Sequence, residues 1–94
     1  MLFEWDEEKS RQNLAKHKVS FERARFIFDD PHNVSVQDDC ETEERWRTMG
    51  LVNGVVVLIV VHTVEERDHE EVIRIISARK ATPSERETYG EHER

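Results

Sequence analysis

Three sets of side chains in this chain are of the kind that act on a phosphate. The first is Arg74-Ile75-Ile76-Ser77-Ala78-Arg79-Lys80-Ala81-Thr82, which puts three cations within seven residues of a chain whose formal net charge is −7. It reads as a strand that ends in a basic cluster and runs directly into a helix cap. A cationic strand end can hold an anion through charge-assisted hydrogen bonds. The second set is Arg45 and Arg47 with His62, where guanidinium groups clamp phosphate oxygens and the imidazole moves a proton. The third is Lys16-His17-Lys18. Each set also has a plainer reading. Arg45 and Arg47 can pair with Glu43, Glu44 or Glu71 as a surface network, and Lys16-His17-Lys18 can simply complement a helix C-terminus.

Other chemistries find less support. The histidines stand at 17, 32, 62, 69 and 92, with no i,i+4 pair and no His-Glu-x-x-His run, so neither metal nor cofactor is expected. Ser77 has no glycine-rich elbow around it. Cys40 lies among acidic residues, which raise a thiol's pKa and make it a poor nucleophile. Three scattered glycines cannot build a phosphate loop.

Positioning these groups takes a sheet. Leu2 to Trp5 reads as a short edge strand and Asp6 as the cap of a surface helix reaching about Lys18. Ser20 caps a second helix, whose Phe21, Ala24, Ile27 and Phe28 form one apolar face; Asp29-Asp30-Pro31 ends it. Val34 to Val36 is a short strand, and Asp38 to Glu43 an acidic loop. Asn53-Gly54 between two β-rich runs predicts a two-residue hairpin. That turn pairs Val52 with Val55, Met49 with Leu58, Arg47 with Val60 and Arg45 with His62. Arg45, Arg47, Met49 and Leu51 then share a face with Val56, Leu58, Val60 and His62. Val55 to Val61 is apolar throughout, so it is the central strand, covered on both sides. Glu65 to Glu70 is a connection, and Val72 to Arg79 the last strand. Either Arg74 or the Ser77/Arg79 pair joins the basic face, since one regular strand cannot place both there. Thr82-Pro83-Ser84-Glu85 opens a terminal helix with a capping box. The order is β-α-α-β-β-β-β-α: an α+β fold, a small antiparallel sheet with two N-terminal helices and one C-terminal helix.

Ninety-four residues, 36% apolar and 37% charged, suit a single domain over 1–94 with a modest core. No apolar run approaches the ~20 residues that span a bilayer. Met1 to Asp6 lacks a secretory pattern, and the lone Cys40 leaves no intramolecular disulfide. A cytoplasmic protein without a membrane partner is expected. The net charge speaks against broad, non-specific nucleic-acid binding but leaves room for a local basic site.

The residues Phe3-Glu4-Trp5-Asp6, Asn13-Leu14, Lys16-His17, Val19-Ser20-Phe21-Glu22, Ala24, Phe28, Asp30-Pro31, Glu44-Arg45, Arg74, Ile76-Ser77-Ala78-Arg79, Ala81-Thr82, Glu85-Arg86 and Tyr89 occur in an order that resembles the BrnT toxin family. The likeness runs from residue 3 to about 89. It implies a RelE-like fold and a metal-independent endoribonuclease that blocks translation. It also implies an RNA substrate and neutralisation by a BrnA-like antitoxin, with DNA reached only through that antitoxin. The assembly would be a dimer or a toxin–antitoxin hetero-oligomer. On this resemblance Arg45, Arg74 and Arg79 stabilise the phosphate, while Lys16, His17 and Tyr89 transfer protons or place the substrate. Arg47 and His62 are added as substrate contacts from the hairpin geometry, and Lys80 from the basic cluster. The alternative is a catalytically silent binding module that keeps the fold and the antitoxin surface.

Overall fold

Valine, leucine and isoleucine fill the run from Val55 to Val61, and the strand they build sits at the middle of the sheet. The computed structural model describes the backbone of residues 1–93 and the side chains of residues 1–90; His92 lies outside the described side chains. Five strands, β1 (Leu2–Glu4), β2 (Val34–Asp38), β3 (Arg45–Val52), β4 (Val56–Arg67) and β5 (Glu70–Lys80), form one sheet in the order β1-β5-β4-β3-β2. The helices are α1 (Glu7–His17), α2 (Phe21–Ala24), which tightens into a 3₁₀ segment at Arg25–Asp29, and α3 (Pro83–Glu93).

The sheet is mixed rather than wholly antiparallel. Strands β2 to β5 form an antiparallel meander, whereas β1 lies parallel to β5, with Leu2 beside Val72 and Glu4 beside Arg74. A parallel neighbour requires a crossover. The two N-terminal helices supply one, carrying the chain from β1 to the opposite edge of the sheet.

The hairpin turn forms where expected, but its register does not. Asn53 and Gly54 both take positive φ, 55° and 67°, and Val55 N donates to Val52 O at 3.1 Å. Pairing then resumes one residue late, Val52 with Val56, leaving Val55 as an extra, 79% exposed residue. Trp46 therefore faces His62, Thr48 faces Val60, and Met49 faces Ile59. A slip of one residue exchanges every side chain's face.

The segment Glu65 to Glu70 is not a loop. Both strands continue through it to a tight turn at Asp68 and His69, at φ 50° and 66°, with Arg67 paired to Glu70 and Glu65 to Val72. Aspartate and histidine tolerate the left-handed region better than most residues. The exposed hairpin end needs no apolar alternation, so the sequence carries little strand signal there.

One face of the sheet receives α1 and α2. Phe21, Ala24 and Ile27 are fully buried there with Val19, Val52, Leu58, Val60, Ile73, Ile75 and Ala78. Gly50 lets the 3₁₀ segment close on β3: a Cβ at that position would lie 2.8 Å from Ile27 Cβ and 2.9 Å from its carbonyl oxygen. Helix α1 docks through polar rather than apolar groups, burying Ser10 and Asn13 while Leu14 stays exposed. The Asn13 amide donates to Val19 O and Ala78 O, both at 2.8 Å, and its oxygen accepts from Ala78 N at 3.2 Å. It thereby satisfies the backbone of β5 beyond the reach of β1.

The opposite face is half covered. Tyr89 of α3 and Ala81 pack on Val57 and Ile59, flanked by Met49 and Leu51. The capping box forms as expected: Glu85 N donates to Thr82 Oγ1 at 3.2 Å, and Thr82 N to Glu85 Oε1 at 2.8 Å. The rest of this face carries the arginines.

Candidate active site

A β-bulge decides which arginines meet. Along β4 and β5, Ile59 pairs with Arg79, Val60 with Ala78 and Val61 with Ser77, after which His62 pairs with Ile75 and Thr63 with Arg74. Ile76 is the extra residue. A bulged residue resets the alternation of its strand, so Arg74, Ser77 and Arg79 all point to one side, that of Val61, Ile59 and Thr63. The β3 partners of Val61 and Ile59 are Arg47 and Met49, and Arg45 is on that side too. Arg45, Arg47, Arg74 and Arg79 thus share one face. The choice between Arg74 and Arg79 that a regular strand imposes does not arise.

The longer hairpin adds a fifth guanidinium, Arg67, which alternation places on the same side. Its strand sequence is too polar to announce itself, and only continued alternation past Val64 would have revealed it.

Every one of these cations is held by a carboxylate. Glu43 accepts from Arg45 Nε at 2.8 Å and from Arg74 at 3.1 Å. Asp38 meets Arg47 at 3.4 Å. Glu85 takes Arg79 bidentately at 2.8 and 3.0 Å, and Arg67 pairs with both Glu4, at 2.6 Å, and Glu65. Five arginines therefore face five carboxylates (Glu4, Asp38, Glu43, Glu65 and Glu85), and the local excess of positive charge seen in the sequence is cancelled in the fold. The acids respond. Arg79 draws Glu85 down to about 2, and Arg45 and Arg67 hold Glu43 and Glu4 below the usual carboxylate range. The pairing with Glu43 is the surface network that the residue types allowed.

A cleft of about 330 Å³ lies between this strip and α3, lined by Val34, Val36, Arg47, Met49, Ile59, Glu85 and Thr88. A second, of about 300 Å³, lies where α1 meets the bulge; Lys9, Lys16 and His17 line it with Ile76 and Ser77. Lys16 and His17 are therefore beside the strand that carries Arg74 and Arg79. Among the described residues Lys9 and Lys16 form no ion pair.

Three expected site residues lie elsewhere. His62 is on the opposite face, 3% exposed, with Nε2 2.7 Å from Thr48 Oγ1 and its ring edge-on to Phe28 at 4.9 Å. The extra residue Val55 put it there, and burial pushes its pKa down. Lys80 pairs with Leu58 and alternates away from the arginines. Tyr89 is buried and donates its hydroxyl to Asp30 Oδ2, which also accepts from Leu51 N at 2.8 Å. Partial burial raises the Asp30 pKa, but the hydrogen bonds from Tyr89, His32 and Leu51 outweigh it, and the net shift is down. Tyr89 thus ties α3 to the end of α2's 3₁₀ segment. Cys40 also departs from expectation. Hydrogen bonds from Thr42 and from the Glu43 backbone lower its thiol pKa despite the acidic surroundings.

Residues 5–85 match the model of a family described as the ribonuclease toxin, BrnT, of type II toxin–antitoxin systems. That match spans most of the chain. The chain belongs to the BrnT family. It is accordingly a ribonuclease toxin of a type II toxin–antitoxin system. The crystal structure of the Brucella abortus ribonuclease toxin, BrnT, shares its fold with a TM-score of 0.59 and 24% identity, covering 87% of this chain and 99% of that one. No protein of curated function matches significantly. Lys16, His17 and the four arginines predicted from the sequence all fall inside the BrnT match, whereas Tyr89 lies beyond it.

Proposed function

We propose that the arginine face is the catalytic face of a metal-independent endoribonuclease with a RelE-like mode of action, blocking translation by cutting RNA. One observation carries the reading: the bulge at Ile76 sets Arg74 and Arg79 on the face that already holds Arg45 and Arg47. Metal-free cleavage starts when a base removes the 2′-hydroxyl proton and the oxygen attacks the neighbouring phosphorus. The bond to the next nucleotide's 5′-oxygen breaks as an acid protonates that oxygen, leaving a 2′,3′-cyclic phosphate and a free 5′-hydroxyl. In between, five-coordinate phosphorus carries extra negative charge, which preoriented guanidinium groups stabilise.

In this reading Arg45, Arg74 and Arg79 stabilise that charge, and Arg47 places the strand along the cleft. Lys16 and His17, at the edge beside Ser77, move protons or hold the substrate. Tyr89 contributes by fixing α3. The protein acts in the cytoplasm, as a dimer or a toxin–antitoxin hetero-oligomer. A BrnA-like antitoxin neutralises it and provides its only link to DNA. No helix among the described residues is long and apolar enough to cross a membrane.

The test is expression without antitoxin, followed by RNA integrity and by cleavage of RNA by the purified protein in EDTA. Growth arrest, RNA loss and EDTA-resistant cleavage are expected. Arg74→Ala and Arg79→Ala should each slow cleavage about 10²- to 10³-fold, the usual loss for one transition-state donor. A folded Arg79→Ala variant as toxic as the parent sinks the site assignment. The ion pairing of all five arginines favours a second reading, a silent module that binds its antitoxin tightly. Intact RNA on unrestrained expression would decide for it.

A further inference from the structure

Two guanidinium groups from strands that are not neighbours converge on one carboxylate. Glu43 Oε1 accepts from Arg45 Nε on β3 at 2.8 Å, and Oε2 accepts from Arg74 on β5 at 3.1 Å. Strand β4 separates them and presents Thr63, opposite Arg74, on that face. Arg74 also reaches Oε1 at 3.4 Å, so the two carboxylate oxygens together bridge the arginines, as the two non-bridging oxygens of a phosphodiester would.

The five carboxylates of this face are not held alike. Glu85 also accepts from Thr82 N in the capping box, so its place is set by α3. Glu4 lies in β1 and Glu65 in β4, and Asp38 ends β2. Glu43 belongs to no strand or helix. It sits in the irregular segment between β2 and β3, and among the described residues its side chain has hydrogen-bond partners only in Arg45 and Arg74. Both pairs are partly exposed, with about a third of the Glu43 side chain open to solvent. Exposed ion pairs are weak and exchange readily with other anions.

We infer that Arg45 and Arg74 form a single anion site for a phosphodiester, which Glu43 fills in the free protein and which the substrate takes by displacing it. The inference rests on the arginine face being the catalytic face. It makes Glu43 a built-in competitor: the segment from Asp39 to Glu44 swings its carboxylate out when a phosphate arrives and returns it afterwards. The free toxin then binds RNA more weakly than its arginines allow.

Competition of this kind has a size. If Glu43 holds the site nine-tenths of the time, the apparent affinity for a phosphate ligand falls about 10-fold. The probe is a short single-stranded RNA with 2′-O-methyl riboses, which lacks the attacking hydroxyl and stays intact, followed by fluorescence anisotropy. Glu43→Gln should tighten its binding about 3- to 10-fold. Glu44→Gln removes the same charge one residue away and should change it less than about 2-fold, since a screened charge off the site acts weakly. Adding Arg74→Ala should erase the gain of Glu43→Gln.

Equal affinities for Glu43→Gln and Glu44→Gln, both folded by thermal melting, overturn the inference. If Glu43→Gln does not fold, Glu43→Asp serves: it keeps the charge but is one methylene too short to span both arginines, and it should also bind more tightly than the parent. Inorganic phosphate, followed by ³¹P NMR, separates this idea from the ribonuclease reading. Tighter phosphate binding by Glu43→Gln without RNA cleavage by either protein upholds the anion site and rejects the nuclease. RNA cleavage with no gain in binding of either probe does the reverse.

Discussion

The two faces of the sheet use the same strands and obey opposite rules. On the helix-covered face the buried polar groups have fixed partners: Thr48 with Ser35 and His62, and Asn13 with Val19 and Ala78. On the other face the charges are partly exposed and pair with one another, Arg74 with Glu43 and Arg79 with Glu85. A buried polar group left without its partner costs far more than a broken surface ion pair. The first face therefore holds the molecule together, while the second can exchange its partners without unfolding it. A site that must release a carboxylate to accept a phosphate belongs on the second.

The contrast is broken or sharpened by substitutions on each side. Phe21→Ala, which empties the fully buried centre of the helix-covered face, should cost about 3–5 kcal/mol in denaturant unfolding. Asn13→Leu should follow at about 2–4 kcal/mol, because it orphans buried backbone groups of Val19 and Ala78 that cost about 1–3 kcal/mol each. Gly50→Ala should cost about 1–3 kcal/mol by forcing Ile27 and the 3₁₀ segment away from β3. Across the sheet, Arg74→Ala should leave the melting temperature within about 2 °C of the parent, a shift well under that of 1 kcal/mol in a domain this size. If Arg74→Ala unfolds the chain while Phe21→Ala does not, the division between the faces is wrong.

Acid should separate the faces a second time. His62 has its pKa lowered by burial, so the unfolded chain takes up its proton first as pH falls. Its contribution is full above the unfolded value of about 6.5 and is lost progressively below it, toward the lower folded value. The paired acids behave the same way at lower pH. Glu85, held at about 2, gives stability that is full above the ordinary glutamate value of 4.5 and is lost as pH falls through its folded value. Stability measured from pH 7.5 to 3 should therefore decline in two stages. His62→Gln should remove the first decline and leave the second. A single decline below pH 4.5 in the parent would show that His62 charges freely.

Much of this arrangement was legible before the chain was folded. The apolar run around Val57 to Val60 marked the central strand, Ser20 and Thr82 marked helix starts, and Asn53-Gly54 marked the hairpin. What was not legible depended on single-residue offsets. Val55 is as β-prone as its neighbours, and nothing local says that it stands outside the ladder. Ile76 resembles any other strand residue, yet it is the bulge that brings Arg74 and Arg79 together. Helix α1 looked peripheral because its anchors, Ser10 and Asn13, are polar. Its importance appears only when Asn13 meets the backbone of Ala78, 65 residues away.

The sequence by itself determined the element order, the family and the stock of arginines, because these rest on residue types and on spacings within a few turns of chain. Only the tertiary structure decided which face each side chain occupies and which acid each arginine meets. A strand alternates with a period of two, so one inserted residue reverses everything after it. Val55 moved His62 away from the arginines, and Ile76 moved Arg74 to join them. Glu43, one acid among many in an unremarkable loop, became the group that links two strands.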